Sequence, residues 1–205
     1  MRRGSRVAAS VAVAMMMIVG AGAVPASASP VFFGAKLSRH SQPSNAESGK
    51  RCSDDVPGAE SCTWVSTEAY HNGGHERAPK TGYIGTVKLV SCIAGSFILQ
   101  IAQANTSTHT ARVLRNGPTI DYARDPQPTC GGDNGDQYVV QSFSVHVHVN
   151  IGEYIGIYAS KVGSLYCAGG NGTDLYSPPL GANRAFHTRR TSSSCNLMIQ
   201  LVYAP

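Results

Sequence analysis

The amino-acid sequence predicts an all-β fold, a sandwich or barrel of about eight or nine short strands. Runs of β-branched and aromatic residues recur along the chain, with Gly, Pro and Asn turn signals between them. Outside the first 28 residues, no stretch shows a helical period. Charged residues make up 14% of the chain and hydrophobic residues 42%, which favours a packed core and argues against disorder or a coiled coil.

Residues 1–28 have the pattern of a secretory signal peptide. Arg2, Arg3 and Arg6 precede an uncharged run over 7–24, and Ala26-Ser27-Ala28 is a small-x-small cleavage site. Retention as a membrane anchor is the alternative, because the uncharged run over 7–24 has 18 residues and a membrane span needs about 20 apolar ones. We expect cleavage, a secreted protein and no membrane span afterwards. Removing the signal takes away three of the 17 basic residues and leaves 14 against 12 acidic ones, so we expect no nucleic-acid partner.

The remaining chain divides into a leader and one domain. Residues 29–51 are polar and lack a sustained period, which predicts a flexible linker, and the domain is expected over 52–205. The predicted strands are, in order, Cys62–Tyr70, Tyr83–Cys92, Ser96–Ala102, Ala111–Arg115, Thr119–Tyr122, Tyr138–Val149, Glu153–Ala159, Ser164–Cys167 and Asn196–Tyr203. Asn116-Gly117-Pro118 predicts a turn between the fourth and fifth of these strands.

The segment over 143–149 gives the clearest strand signal. Phe and Val occupy alternate positions from Phe143 to Val149, with Ser144, His146 and His148 between them. Period-2 alternation is typical of a half-buried strand, so the two histidines are expected on its outward face.

Six cysteines in an exported chain predict a disulfide framework. Six cysteines allow 15 pairings, and proximity in the chain suggests Cys52 with Cys62, Cys167 with Cys195, and hence Cys92 with Cys130. None has the Cys-x-x-Cys spacing that a zinc ribbon uses.

Three segments resemble secreted actinobacterial β-sandwich domains of the jelly-roll and carbohydrate-binding-module-like kind. They are the runs over 78–87, 97–102 and 143–157. The first contains a Pro-x-x-Gly-x-Ile opening and the last a Val-x-x-Gly-Asp-x-Ile-Gly-Ile corner, with Glu153 in place of Asp. The resemblance covers about half the chain and implies a single antiparallel jelly-roll-like sandwich; because the motifs are structural, it implies a fold and not an activity.

Histidines are the main candidates for chemistry. His71 and His75 share a loop, and His146 and His148 share a strand face. If folding brought these pairs together, they would form a zinc or copper site. Alternatively, all four are solvated polar groups. Glu68 and Glu153 are acidic residues within predicted strands, and Glu153 is expected to support a corner rather than catalyse hydrolysis.

Exposed aromatic rings would suit a sugar. Tyr70, Tyr83, Tyr122, Tyr166, Tyr176 and Phe186 lie in loops or at strand ends, and Tyr122 and Tyr176 are preferred because turn residues flank them. Burial of the rings with the hydroxyl exposed is the alternative, and Trp64 is expected in the core. The segments over 131–136 and 169–174 are rich in Gly and oxygen ligands, but they fit hairpin turns better than a structural calcium site.

These observations favour a secreted, non-catalytic binding module for polysaccharide or cell-envelope material, with no cofactor. The sequence contains none of the common nucleophile-elbow, zinc-protease or phosphate-loop motifs. Two alternatives stay open: an extracellular metal-assisted enzyme that uses the four histidines, and an envelope protein that binds a protein partner.

Overall fold

The computed structural model describes residues 29–37, 52–67, 74–91, 94–123, 139–159, 167–182 and 185–205, with backbone alone for 54, 167–171 and 192–196. These residues form strands and one helical turn, α1 (Cys52–Asp55). The strands are β1 (Phe32–Gly34), β2 (Cys62–Ser66), β3 (Gly82–Leu89), β4 (Gly95–Asn105), β5 (Thr110–Tyr122), β6 (Gln141–Val149), β7 (Tyr154–Ala159), β8 (Cys167–Tyr176), β9 (His187–Thr188), β10 (Thr191–Leu197) and β11 (Ile199–Tyr203). None of the described helices is long and apolar enough to cross a membrane.

The described strands form two antiparallel sheets, which confirms the all-β prediction. The four-stranded sheet has the order β1-β11-β3-β6, and the seven-stranded sheet has the order β10-β8-β2-β7-β4-β5-β9. Each of the described strand pairs runs antiparallel.

Both sheets contribute side chains to one apolar core. Ile84, Val87 and Leu201 come from the four-stranded sheet. Trp64 and Leu99 come from the seven-stranded sheet, and Trp64 is fully buried, as the sequence predicted. Burial of apolar area, at about 25 cal/mol per Å², makes this shared cluster the main source of stability.

A smaller apolar cluster covers the opposite face of the seven-stranded sheet. Val65 and Tyr176 follow Trp64 and Leu175 in sequence, so their side chains point away from the shared core. Leu180, beyond the end of β8, packs on them. The segment after β8 therefore covers part of this face.

The region predicted as a flexible leader contributes a strand. Phe32, Phe33 and Gly34 pair with β11, and the Phe33 side chain is fully buried in the core. Gly34 has φ +87° and lies so close to β11 that a Cβ there would be 2.4 Å from the Ile199 carbonyl oxygen. The domain therefore includes residues 29–37, and its predicted start at Cys52 is corrected. The rest of the predicted linker lies outside the described residues.

The turn predicted at Asn116-Gly117-Pro118 is a bulge within one continuous strand. On β4, Ile98 pairs with Thr119 and Gln100 with Asn116, so Leu99 alone faces Gly117 and Pro118. A bulge accepts proline because the extra residue does not donate to the ladder. The two predicted strands are therefore the single strand β5.

Two other predicted segments differ in the structure. The segment over 169–174, predicted as a hairpin turn, lies within β8 and pairs with β10. The final predicted strand is two strands, because β10 belongs to the seven-stranded sheet and β11 to the four-stranded one, with buried Met198 between them. The strand prediction for Ser164–Cys167 falls mostly outside the described residues.

The Cys52–Cys62 disulfide predicted from the sequence is present, with the two Cα atoms 5.8 Å apart. It ties α1 to the start of β2. Cys92 and Cys130 lie outside the described residues. The backbone register places Cys195 opposite Gly169 and Cys167 opposite Leu197 on adjacent strands, and their pairing stays a prediction.

Candidate functional site

The two tyrosines preferred as sugar-stacking residues are buried. Tyr122 is 5% exposed, and its ring packs on Phe97 with the ring centroids 5.9 Å apart. Tyr176 is 1% exposed. Burial raises the pKa of Tyr176 well above that of a free tyrosine, and the Asp174 carboxylate adds to this shift while Arg189 opposes it. Neither ring offers an open face to a ligand, so the alternative of a core role holds for both.

The structure does not bring the described histidines to one point. His75 lies beside β1, where its backbone bridges to Gly34, whereas His146 and His148 lie on β6 at the other end of the strand order. Four strand spacings of about 4.8 Å separate the two positions, or roughly 19 Å across the sheet. Among the described residues, no group of three or more His, Cys, Asp or Glu side chains could hold a metal ion. His71 and Glu68 lie outside the described residues.

The alternation predicted for β6 is confirmed. Val147 and Val149 are buried, while Phe143 and Val145 pack partly buried against the same core. The intervening side chains, including His146, point outward, and Ser144 and His146 are exposed. The two histidines therefore lie on the outer face of the four-stranded sheet.

Tyr83 of β3 lies directly against both of these histidines. The Tyr83 and His146 rings are stacked, with centroids 4.4 Å apart and an interplanar angle of 13°. The His148 ring meets the Tyr83 ring edge-on, with centroids 5.1 Å apart and an angle of 69°. We call these three residues the Tyr83 surface. Tyr83 remains 47% exposed in this arrangement.

An irregular register between β3 and β6 produces this contact. Tyr83 pairs with His148 and Ile84 with Val147, but the register shifts between Ile84 and Thr86. Gly85 alone faces Val145 and His146 across this shift, and a Cβ on Gly85 would be 3.2 Å from Ala204. His146 therefore faces a position without a side chain, and the Tyr83 ring fills the space beside it.

Backbone and side-chain hydrogen bonds fix both strands at this point. Ala204 donates its backbone N–H to the Tyr83 carbonyl oxygen at 2.8 Å. Arg115 of β5 donates Nε–H to the His148 carbonyl oxygen at 2.7 Å and forms an ion pair with Glu153. The Tyr83 surface thus rests on two paired strands held by specific hydrogen bonds, which suits a rigid binding site.

Glu153 supports the corner before β7, as the sequence predicted. Its carboxylate accepts hydrogen bonds from the Asn150 backbone N–H at 2.7 Å and from Asn150 Nδ2 at 2.9 Å. Gly152 has φ +84°, a conformation that favours glycine in a tight turn. With Arg115 as its ion-pair partner, Glu153 acts here as a structural group.

A second polar cluster lies at the far side of the seven-stranded sheet. Asp174 is buried, pairs with Arg189 at 2.8 Å and lies 3.5 Å from His109 Nδ1. The Arg189 backbone N–H also donates to the His109 carbonyl oxygen at 2.8 Å. This cluster fastens the segment after β9 to the sheet. The Asp174 carboxylate is thus engaged by two nitrogen groups. Residues 131–136 lie outside the described residues.

One cavity lies next to the strand that carries Tyr83. It has a volume of about 450 Å³ and is lined by Lys80, Tyr203 and both ends of the described chain, 29–31 and 204–205. Lys80 Nζ lies 4.9 Å from the centre of the Tyr203 ring. Ala204 both lines this cavity and bonds to Tyr83, so the cavity and the Tyr83 surface occupy the same end of the four-stranded sheet.

Comparisons of the chain with protein-family models, with curated proteins and with solved structures found no match. Function must therefore be argued from the site itself. The Tyr83 surface combines a half-exposed phenol ring, which can stack on an apolar ligand face, with two imidazoles that can donate or accept hydrogen bonds. Sequence reasoning included Tyr83 among the exposed aromatics but preferred Tyr122 and Tyr176, because the pairing of β3 with β6 is not visible in the sequence.

Proposed function

We propose that this protein is an exported, non-catalytic binding module that attaches to polysaccharide through the Tyr83 surface. The observation that carries the proposal is the packing of Tyr83 against His146 and His148, while Tyr83 remains 47% exposed. Sugars present an apolar face that stacks on aromatic rings, and hydroxyl groups that imidazole nitrogens can bind. A site of this kind binds sugar by ring stacking and hydrogen bonding, and it needs no catalytic nucleophile.

Export is supported by the predicted signal peptide and by the Cys52–Cys62 disulfide, because disulfides persist in oxidising compartments. We further propose that the two antiparallel sheets form a jelly-roll-like sandwich, as the resemblance implies. Their side chains share one core, which is the arrangement expected of two sheets packed face to face.

Co-sedimentation of the purified protein with a panel of insoluble polysaccharides and with peptidoglycan tests the proposal. We expect saturable binding to at least one polymer, and about tenfold weaker binding for Tyr83→Ala, equivalent to roughly 1.4 kcal/mol. Phe186→Ala is the matched control, because Phe186 is an aromatic residue that is 44% exposed and lies beside β9 of the other sheet. The control should bind like the unaltered protein.

Three outcomes would contradict the proposal. The first is no binding to any polymer in the panel. The second is equal binding by Tyr83→Ala and Phe186→Ala. The third is a stoichiometric metal in the purified protein that is lost in His146→Ala, which would favour the metal-assisted enzyme instead.

A further inference from the structure

The outer face of the four-stranded sheet has an unusual charge composition. Strands β1, β3, β6 and β11 contain neither Asp nor Glu. Lys88 of β3 pairs with Ser142 of β6, two rows from the pair formed by Thr86 and Ser144. The face next to the Tyr83 surface therefore presents hydroxyls, imidazoles and an ammonium group, but no carboxylate from its own strands.

These polar groups form a line. The outward positions of β6 run from Ser142 to His148, a distance of roughly 20 Å at about 3.3 Å per residue. On β3, Tyr83, Thr86 and Lys88 lie alongside them. A line of donors with an aromatic ring at one end suits an extended chain ligand better than a small compact one.

Neighbouring strands do not bring a free carboxylate to this line at the histidines. The charged and titratable residues of the two strands packed against β6 are Tyr83 and Lys88 of β3, and Arg112, Arg115, Asp121 and the buried Tyr122 of β5. Arg115 contacts the His148 carbonyl oxygen, and its charge is balanced by the buried Glu153. The Arg112 guanidinium donates hydrogen bonds to Gln103 of β4. Asp121 lies opposite Ser96 of β4 in the strand register.

We infer that the Tyr83 surface selects an anionic polysaccharide, and that it binds this ligand more tightly when His146 and His148 are protonated. The inference rests on the proposed function and names the class of its ligand. Imidazole is the side chain that ordinarily changes charge between pH 5 and 8. Each protonated imidazole would then give a charge-assisted hydrogen bond to a ligand anion, while Tyr83 stacks on the sugar ring.

The anion could be a uronate carboxylate or a phosphodiester, and both present the same chemistry to the imidazoles. Titration calorimetry of the purified protein with polygalacturonate and with a teichoic acid whose repeating sugars are joined by phosphodiesters separates these two sources. Fully methyl-esterified polygalacturonate is the matched neutral polymer, because it keeps the backbone and loses the charge.

We expect affinity for one of the charged polymers to be about tenfold higher near pH 5 than near pH 8, and to fall as salt is added. His146→Gln/His148→Gln should remove this pH dependence while keeping hydrogen-bonding side chains. His187→Gln should retain it, because His187 is exposed on β9 of the other sheet.

The possible failures are distinguishable. Binding of a neutral polymer with no preference for charge, or equal affinity at both pH values, would overturn the inference and leave the proposed function standing. Absence of binding to charged and neutral polymers alike would overturn both. A pH effect that persists in the double variant would overturn the role of the histidines.

Discussion

Replacing Glu153 by Ala should destabilise the protein by about 2–4 kcal/mol, although this residue lies at a turn. The Glu153 side chain is 9% exposed, and it is the ion-pair partner of Arg115, which is 29% exposed. Removing one partner of a buried ion pair costs about 3–5 kcal/mol. Water reaches Arg115 and lowers that figure, whereas the loss of two hydrogen bonds from Asn150 raises it.

Urea and thermal unfolding of the full protein measure this effect. For a chain of this size, about 2–4 °C of melting temperature corresponds to 1 kcal/mol, so the variant should melt roughly 5–15 °C lower. Glu76→Ala is the matched control, because Glu76 pairs with Arg77 while both side chains are largely exposed, at 40% and 55%. The control should change stability by less than about 0.5 kcal/mol.

A double-mutant cycle with Arg115→Gln isolates the ion pair from the turn. We expect a coupling free energy of about 1–3 kcal/mol between the two residues. Two results would contradict a stabilising ion pair: a Glu153→Ala protein as stable as Glu76→Ala, or additive changes in the free energy of unfolding for the substitutions at 115 and 153.

Three further predictions concern the strands and the cysteines. Phe33→Ala should lower the free energy of unfolding by about 3–4 kcal/mol because the side chain is fully buried, whereas Val31→Ala, at a side chain 40% exposed, should have little effect; equal urea midpoints would contradict the placement of β1. Burial raises the pKa of Tyr176 above 10.0, so its contribution to stability is present below about pH 10 and lost as the pH rises further. Tyr176→Phe removes a buried hydroxyl that has no hydrogen-bond partner among the described residues, so it should be at least as stable at neutral pH and lose less stability in alkali, as urea midpoints at both pH values will show. Thiol titration of the denatured, unreduced protein should find no free thiol, and two or more free thiols would contradict the three-disulfide prediction.

The local sequence pattern was sufficient to predict the features that depend on a single strand or a short segment. Alternation along β6 placed Val147 inward and His146 outward, and both positions are confirmed. Short sequence separation was sufficient for the Cys52–Cys62 bridge, which closes a loop with a separation of 10 residues. The corner expected at Glu153 is also present, with a turn at Ile151 and Gly152 just before it.

Features that depend on a neighbouring strand could not be predicted. Gly117 and Pro118 are turn formers in isolation, yet β4 accommodates them as a bulge. Tyr122 and Tyr176 have polar and turn-forming neighbours in sequence, but packing against Phe97 and under Leu180 buries their rings. Phe33 is buried because β11, at the other end of the chain, provides its partner strand.

The candidate site, too, could be predicted only where it depends on one strand. His146 and His148 were recognised because they share a strand face, whereas Tyr83 joins them only through the register of β3 on β6 and the bulge at Gly85. Local periodicity shows on which face of its strand a side chain lies, but it does not show which strand pairs with it. The metal-site alternative required His75 to meet the other histidines, and the structure separates them because strand order decides distance across a sheet.

Binding of polysaccharide at the Tyr83 surface is tested most directly by mapping which residues contact the ligand. Backbone amide and histidine side-chain NMR shifts of the full protein would be followed while a soluble fragment of the polymer identified by co-sedimentation is added. We expect saturable chemical-shift changes that are concentrated at Tyr83, His146 and His148. Changes confined to the seven-stranded sheet, or none at saturating ligand, would contradict it.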